Sequence, residues 1–183
     1  MPQPSPEDVK LHFAQLSVQY FVAGRSAAIN QLIPVLGNLL HHAVELALKA
    51  ALAPKLALQD LKRLNHNLPK LWERFKSLSP QIDCSRFDSV VDELHRFEEL
   101  RYPDSVLAQG ALMELILLRE HLGSGPRSPS TVPRYTLVLE DVDEIVEFIF
   151  DVSDINPKFL TGAMTRPAKD YLLRENRHAT KWQ

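Results

Sequence analysis

The residues with most chemical potential lie in Gly37-Asn-Leu-Leu-His-His-Ala-Val-Glu-Leu-Ala-Leu-Lys-Ala-Ala-Leu52. On a helix, His42 and Glu45 stand three apart, while His41 and Lys49 each stand four from Glu45, so the four can share a face. Histidines beside a carboxylate could ligate a metal or act as a general base. The di-metal carboxylate bundle needs Glu-x-x-His twice plus further glutamates. The sequence does not supply that motif twice, so neither a metal nor another cofactor is expected. The preferred reading is a buried Glu45–Lys49 or Glu45–histidine pair that fixes helix packing, because polar groups in a buried helix must be satisfied.

A second set, Arg63, Asn65 and His66, sits in a polar break between helices. Arg63 with His66 could hold a phosphate, with His66 as acid or base; otherwise His66 braces the turn. A third candidate, Arg101, closes a helix, where it complements the helix dipole and has Glu98 and Glu99 beside it as ion-pair partners. Arg25 could face Glu45 or a ligand. Ligand-binding candidates are therefore His42, Glu45, Lys49, Asn65 and His66, and catalytic candidates are Arg63, His66 and Arg101. The lone Cys84 has no cysteine partner for a disulfide or a zinc site. The chain has no Gly-rich phosphate loop and no Gly-x-Ser-x-Gly elbow.

Helices must position these groups. Ser5-Pro6-Glu7-Asp8 reads as a capped helix start, and Val9, Phe13, Leu16, Tyr20 and Ala27 give that helix one apolar face. It should end between Gly24 and Asn30. Pro34 opens a second helix, striped by Leu36, Leu39, Leu40, Ala43, Ala47 and Ala50 and ended by Pro54. A stripe that broad marks the central helix of a bundle. One or two turns over 57–63 should follow, then a helix from Leu68 to Leu78, capped by Asn67, with Leu68, Leu71, Trp72 and Phe75 inward. Phe87, Val90, Val91, Leu94 and Phe97 define a fourth helix, ended by Pro103. Residues 111–119 suit a buried helix or a strand. Paired with 134–139, they would make a short β-hairpin across a mobile Pro/Ser/Gly loop at 123–133. Val142, Ile145, Val146, Ile149 and Val152 predict a final amphipathic helix ended by Asn156-Pro157, before a short terminal helix over 168–176. The fold class is mainly all-α: an up-down bundle of four to five core helices over residues 7–104, with 105–183 packed on it in one domain.

The chain has 183 residues, 45% hydrophobic and 24% charged, as in an ordinary globular domain. No apolar run approaches ~18 residues, so no membrane span is expected. Met1-Pro-Gln-Pro-Ser-Pro lacks the features of a signal peptide, which makes a cytoplasmic location the expectation. Residues 157–183 carry six Lys/Arg against two Asp/Glu, which leaves an acidic body, a poor platform for duplex DNA.

Two segments resemble a known family. His42-Ala-Val-Glu45 with Lys49 is similar to the A-x-E-x-x-x-K central helix of HEPN domains (higher eukaryotes and prokaryotes nucleotide-binding), and Asn65-His66-Asn67-Leu68 resembles their G-H-[DN]-L turn. The resemblance covers residues 7–104. It implies a four- or five-helix bundle, often homodimeric. Members include metal-independent ribonucleases and non-catalytic partners of nucleotidyltransferases. The ribonucleases carry an Arg, four to six residues, then a His. Here Arg101 has no His in range, Arg63 and His66 enclose two residues, and Arg174 and His178 enclose three. The resemblance thus implies a non-catalytic interaction or nucleotide-binding module, with a second copy, a partner protein, a nucleotide or RNA as its partner. The alternatives are a ribonuclease with a divergent Arg/His site, and a small-ligand or metal-binding bundle using His41, His42 and Glu45.

Overall fold

In the computed structural model, which describes residues 4–123 and 130–182, Ser5 and Asp8 close the capping box expected of them. The Ser5 hydroxyl accepts from the Asp8 N–H at 3.1 Å, and the Asp8 carboxylate accepts from the Ser5 N–H at 3.1 Å. They launch α1 (Pro6–Ile29), which is followed by α2 (Ile33–Leu52). Leu36, Leu40, Ala43, Val44, Ala47, Leu48 and Ala50 of α2 are fully buried, so α2 is the central helix. Small residues set how closely its neighbours approach. A Cβ on Gly24 would lie 2.5 Å from the Leu40 side chain, and one on Gly37 would lie 2.5 Å from Phe97. Any larger residue at either point would force the helices apart.

The short α3 (Leu58–Arg63) leads through a turn to α4 (Leu68–Leu78). Asn67 caps α4, its side-chain oxygen accepting from the Lys70 N–H at 2.9 Å. Leu68, Leu71, Trp72 and Phe75 are the buried face of α4, as the periodicity predicts. Helix α5 (Asp88–Phe97) ends sooner than expected and tightens into a 3₁₀ turn over Glu98–Arg101. Pro103 does not simply close α5; it opens a further helix, α6 (Pro103–Gln109). Proline suits a first helical position and forces the residue before it into extended backbone, as Tyr102 shows with φ −102° and ψ 130°.

The ambiguous segment is a strand, β1 (Leu112–Ile116), paired with β2 (Arg134–Val138). The pairing is parallel, with Leu112 opposite Arg134 and Ile116 opposite Val138, so the expected hairpin is corrected. Antiparallel strands can close through a tight turn, whereas parallel ones need a crossover of a dozen or more residues. The connection over 117–133 has that length. The loop expected to be mobile falls mostly on 124–129, outside the described residues.

Strand β2 runs directly into α7 (Leu139–Val152), whose Val142, Ile145, Val146 and Ile149 are buried. Asn156-Pro157 does not end α7, which stops at Val152. Instead Asn156 caps α8 (Pro157–Thr161) through the Lys158 N–H at 3.0 Å. The final helix is α9 (Arg166–Leu173). Beyond it Trp182 inserts into the core, its ring centroid 5.5 Å from Phe21 and 5.7 Å from Phe150. Residues after the first five helices therefore complete the hydrophobic core begun by α1, α2, α4 and α5. No helix among the described residues is long and apolar enough to cross a membrane.

Candidate functional site

The α2 stripe buries Glu45, and helical spacing brings His42 and Lys49 to it. The Glu45 side chain is 2% exposed. Lys49 Nζ donates to its Oε1 at 2.6 Å, and His42 Nδ1 lies 3.0 Å from its Oε2. The turn before α4 supplies the third partner. Asn65 adopts the left-handed conformation (φ 55°), which asparagine tolerates better than most residues. That turn sets His66 Nδ1 3.1 Å from Glu45 Oε2 and 3.2 Å from Oε1. Burial by itself would raise the Glu45 pKa. Hydrogen bonds from His42, Lys49 and His66, with the Lys49 charge, outweigh it and bring the group down to about 2.

An ionised carboxylate only accepts, so Nδ1 of both His42 and His66 carries the hydrogen. In a neutral ring that leaves Nε2 as the acceptor or base. The His66 side chain is 59% exposed and that of His42 is 25% exposed. The two rings meet edge to face at 5.5 Å, and Tyr20 of α1 lies 5.3 Å beyond His42. One carboxylate thus holds His42 and His66, and with Tyr20 packed on His42 the three rings form a row that reaches the surface.

His41 lies on the inner side of the same carboxylate, with Nε2 3.9 Å from Glu45 Oε2. Its Nδ1 is 3.3 Å from the Leu94 carbonyl and its Nε2 is 3.1 Å from the His66 carbonyl. Burial holds its pKa below the ordinary histidine value, against the pull of Glu98 and Glu45. A neutral ring donates to only one of the two carbonyls. The shorter contact is to the His66 carbonyl, so with the hydrogen on Nε2 His41 braces the His66 turn from α2. Its ring also lies 5.9 Å from His95.

Of the other candidates, Arg101 joins this region at one remove: its Nη2 is 3.1 Å from Glu98 Oε1, and Glu98 Oε2 is 3.7 Å from His41 Nε2. The expected partnership of Arg101 with a neighbouring glutamate is thus present. Arg63 is not drawn toward His66. Its side chain is 77% exposed and pairs with Asp60 at 3.0 Å on its own helix. Asn65 contributes turn geometry.

Arg25 faces neither Glu45 nor open solvent. It is fully buried, pairs with Asp143 of α7, and donates to the carbonyls of Arg174 and, at 3.0 Å, Tyr171. Sequence reasoning missed Asp143. The signal was a charge at an apolar-face position, since Leu139, Asp143, Val146 and Phe150 follow helical spacing and are all buried. Burial pushes the Asp143 carboxyl up to about 7, against the opposing pull of Arg25. His95 and Glu98 were also missed as neighbours of His41; with it they place one ligand atom each within 4.8 Å of one another. His42, Glu45 and His66 form a second such trio.

Geometrically, the Glu45 cluster can orient two imidazoles for hydrogen bonding or proton transfer, and its ring row can stack on a planar group. No family model, no curated protein and no solved structure matches this chain.

Proposed function

We propose that the protein is a HEPN-like, non-catalytic interaction module that binds a nucleotide or single-stranded RNA at the Tyr20–His42–His66 ring row. The observation that carries this reading is the row itself, its two histidines held by the shared Glu45 carboxylate and Tyr20 packed on His42. Bases stack on aromatic side chains and on histidine, with about 1–3 kcal/mol per base for aromatic platforms. Binding is favoured over cleavage because the nearby cations are engaged: Lys49 by Glu45, Arg101 by Glu98, and Arg63 by Asp60. A cation needed to stabilise a phosphoryl transition state would first have to leave its carboxylate. Following the family resemblance, we include a homodimer in this proposal, which sedimentation would check.

The test is anisotropy of labelled single-stranded RNA, with nucleotide competition, in EDTA. Wild-type protein should bind and leave the RNA intact. Tyr20→Ala and His66→Ala should each weaken binding about tenfold, the equivalent of 1.4 kcal/mol, in protein that still folds and melts cooperatively. Failure of folded protein to bind would reject the reading. The alternative, a metal-independent ribonuclease, draws on the two outward Nε2 atoms. Cleavage that survives EDTA and is lost in His66→Ala would establish it instead.

A further inference from the structure

We propose that His42, Glu45 and His66 form a binding site for one divalent transition-metal ion of the zinc type. This inference does not rest on nucleotide binding, because the metal would use the Nδ1 edges of the rings rather than their faces. The expectation of no metal considered the spacing within α2. The third ligand comes from the turn before α4, which that spacing does not reveal.

Three observations carry the proposal. The ligand types are two imidazole nitrogens and one carboxylate oxygen, and each offers one atom within 4.8 Å of the others. Imidazole suits zinc, copper, iron and nickel, and zinc accepts a His₂Glu set with open positions for water or substrate. The separations also fit. Both Nδ1 atoms converge on the same oxygen, Glu45 Oε2, at 3.0 and 3.1 Å. Ligands about 2.1 Å from a tetrahedral zinc stand roughly 3.4 Å apart, so the two rings must turn off their hydrogen bonds and draw back by a few tenths of an ångström to admit the ion.

The surrounding shell is already built. Lys49 holds Oε1 at 2.6 Å and leaves Oε2 to face the rings. The His41 ring fixes the His66 turn through its carbonyl at 3.1 Å. Groups that orient ligands in this way are normal companions of metal sites. In a neutral ring the hydrogen moves from Nδ1 to Nε2 as the metal takes Nδ1, so the imidazole itself releases no net proton. The half-exposed His66 leaves a solvent-side approach and room for water ligands.

The experiment is titration of the untagged, nucleotide-free protein with Zn²⁺, and with Co²⁺ followed by its visible absorption, together with melts. One equivalent of metal should bind and raise the melting temperature. His66→Ala and His42→Ala should each weaken binding at least tenfold, Glu45→Gln should do so more strongly, and His95→Ala should leave it unchanged. His66→Ala keeps the test sound if Glu45→Gln fails to fold, because His66 is largely exposed. Absence of stoichiometric binding by folded wild-type protein would overturn the proposal. So would loss in His95→Ala with retention in His66→Ala, which would move the ion to His41, His95 and Glu98. RNA binding in EDTA is independent of both results, so either proposal can fail alone.

Discussion

Glu45 and Asp143 are carboxylates buried to the same degree in one bundle, with side chains 2% and 1% exposed, yet they titrate in opposite directions. Glu45 is brought down to about 2, and Asp143 is pushed up to about 7. Donors and neighbouring charges make the difference, because Asp143 has fewer donors and also feels the like charge of Glu140. Glu45 accepts from Lys49, His42 and His66. Asp143 has Arg25 on one oxygen, while its Oδ1 is buried with no hydrogen-bond partner among the described residues. Burial raises both carboxyls, and the compensating donors and nearby charges decide the outcome. The clusters also differ in reach. Two of the Glu45 partners come to the surface, whereas Arg25 spends its remaining donors on backbone carbonyls of the C-terminal segment. The first arrangement can meet a ligand. The second braces α1 against α7 and the tail.

Breaking the brace should have the largest effect. Arg25→Ala leaves Asp143 and two carbonyls without their donor and should cost about 3–5 kcal/mol, the range for removing one partner of a buried pair. Urea unfolding of the variant would check this, and a loss below about 1 kcal/mol would show the brace to be dispensable.

The opposed titrations should appear as opposed pH slopes. Glu45 sits below its ordinary 4.5, so its stabilisation is complete above that value and is lost as pH falls toward about 2. Asp143 sits above its ordinary 3.8, so its contribution is complete below that value and is lost as pH rises through about 7. Glu45→Gln should flatten the stability profile between pH 2 and 4.5, and Asp143→Asn should flatten it between pH 4 and 7. Melts across pH for both variants and wild type would show whether each window moves with its own carboxylate.

Removing one donor from the richer cluster should make it resemble the poorer one. Lys49→Met should lift the Glu45 pKa toward its ordinary value at a stability loss of about 1.5–3 kcal/mol, the range for hydrogen bonds to charged groups. Carboxyl chemical shifts followed by NMR would read the change directly. The smallest effect belongs to Arg63→Ala, which touches neither cluster. Its exposed i,i+3 pair should be worth within about 0.5 kcal/mol in a thermal melt, and no change in RNA binding should accompany it.

Much of the frame is legible in the sequence. Ser5, Asn67 and the apolar positions of α4 behave as their local chemistry dictates, because caps and stripes depend on residues a few positions apart. Misreadings cluster where a proline or asparagine signal has two uses. Pro103 and Asn156-Pro157 each stop one helix or start another, and only the packing of the next segment selects which. The second strand is readable as a strand, the first is open between strand and helix, and their relative direction depends on how the chain connects them.

The sequence by itself determined the α-helical frame and half of the candidate site. Spacings of three and four residues on a 3.6-residue helix put His42, Glu45 and Lys49 together whatever else the chain does. Tertiary structure alone decided that His66 meets Glu45 from 21 residues away, and that Arg25 meets Asp143 from 118 residues away. Those pairings depend on which helix faces dock, and the docking is set by burial summed over the whole core. No short stretch of residues encodes that sum.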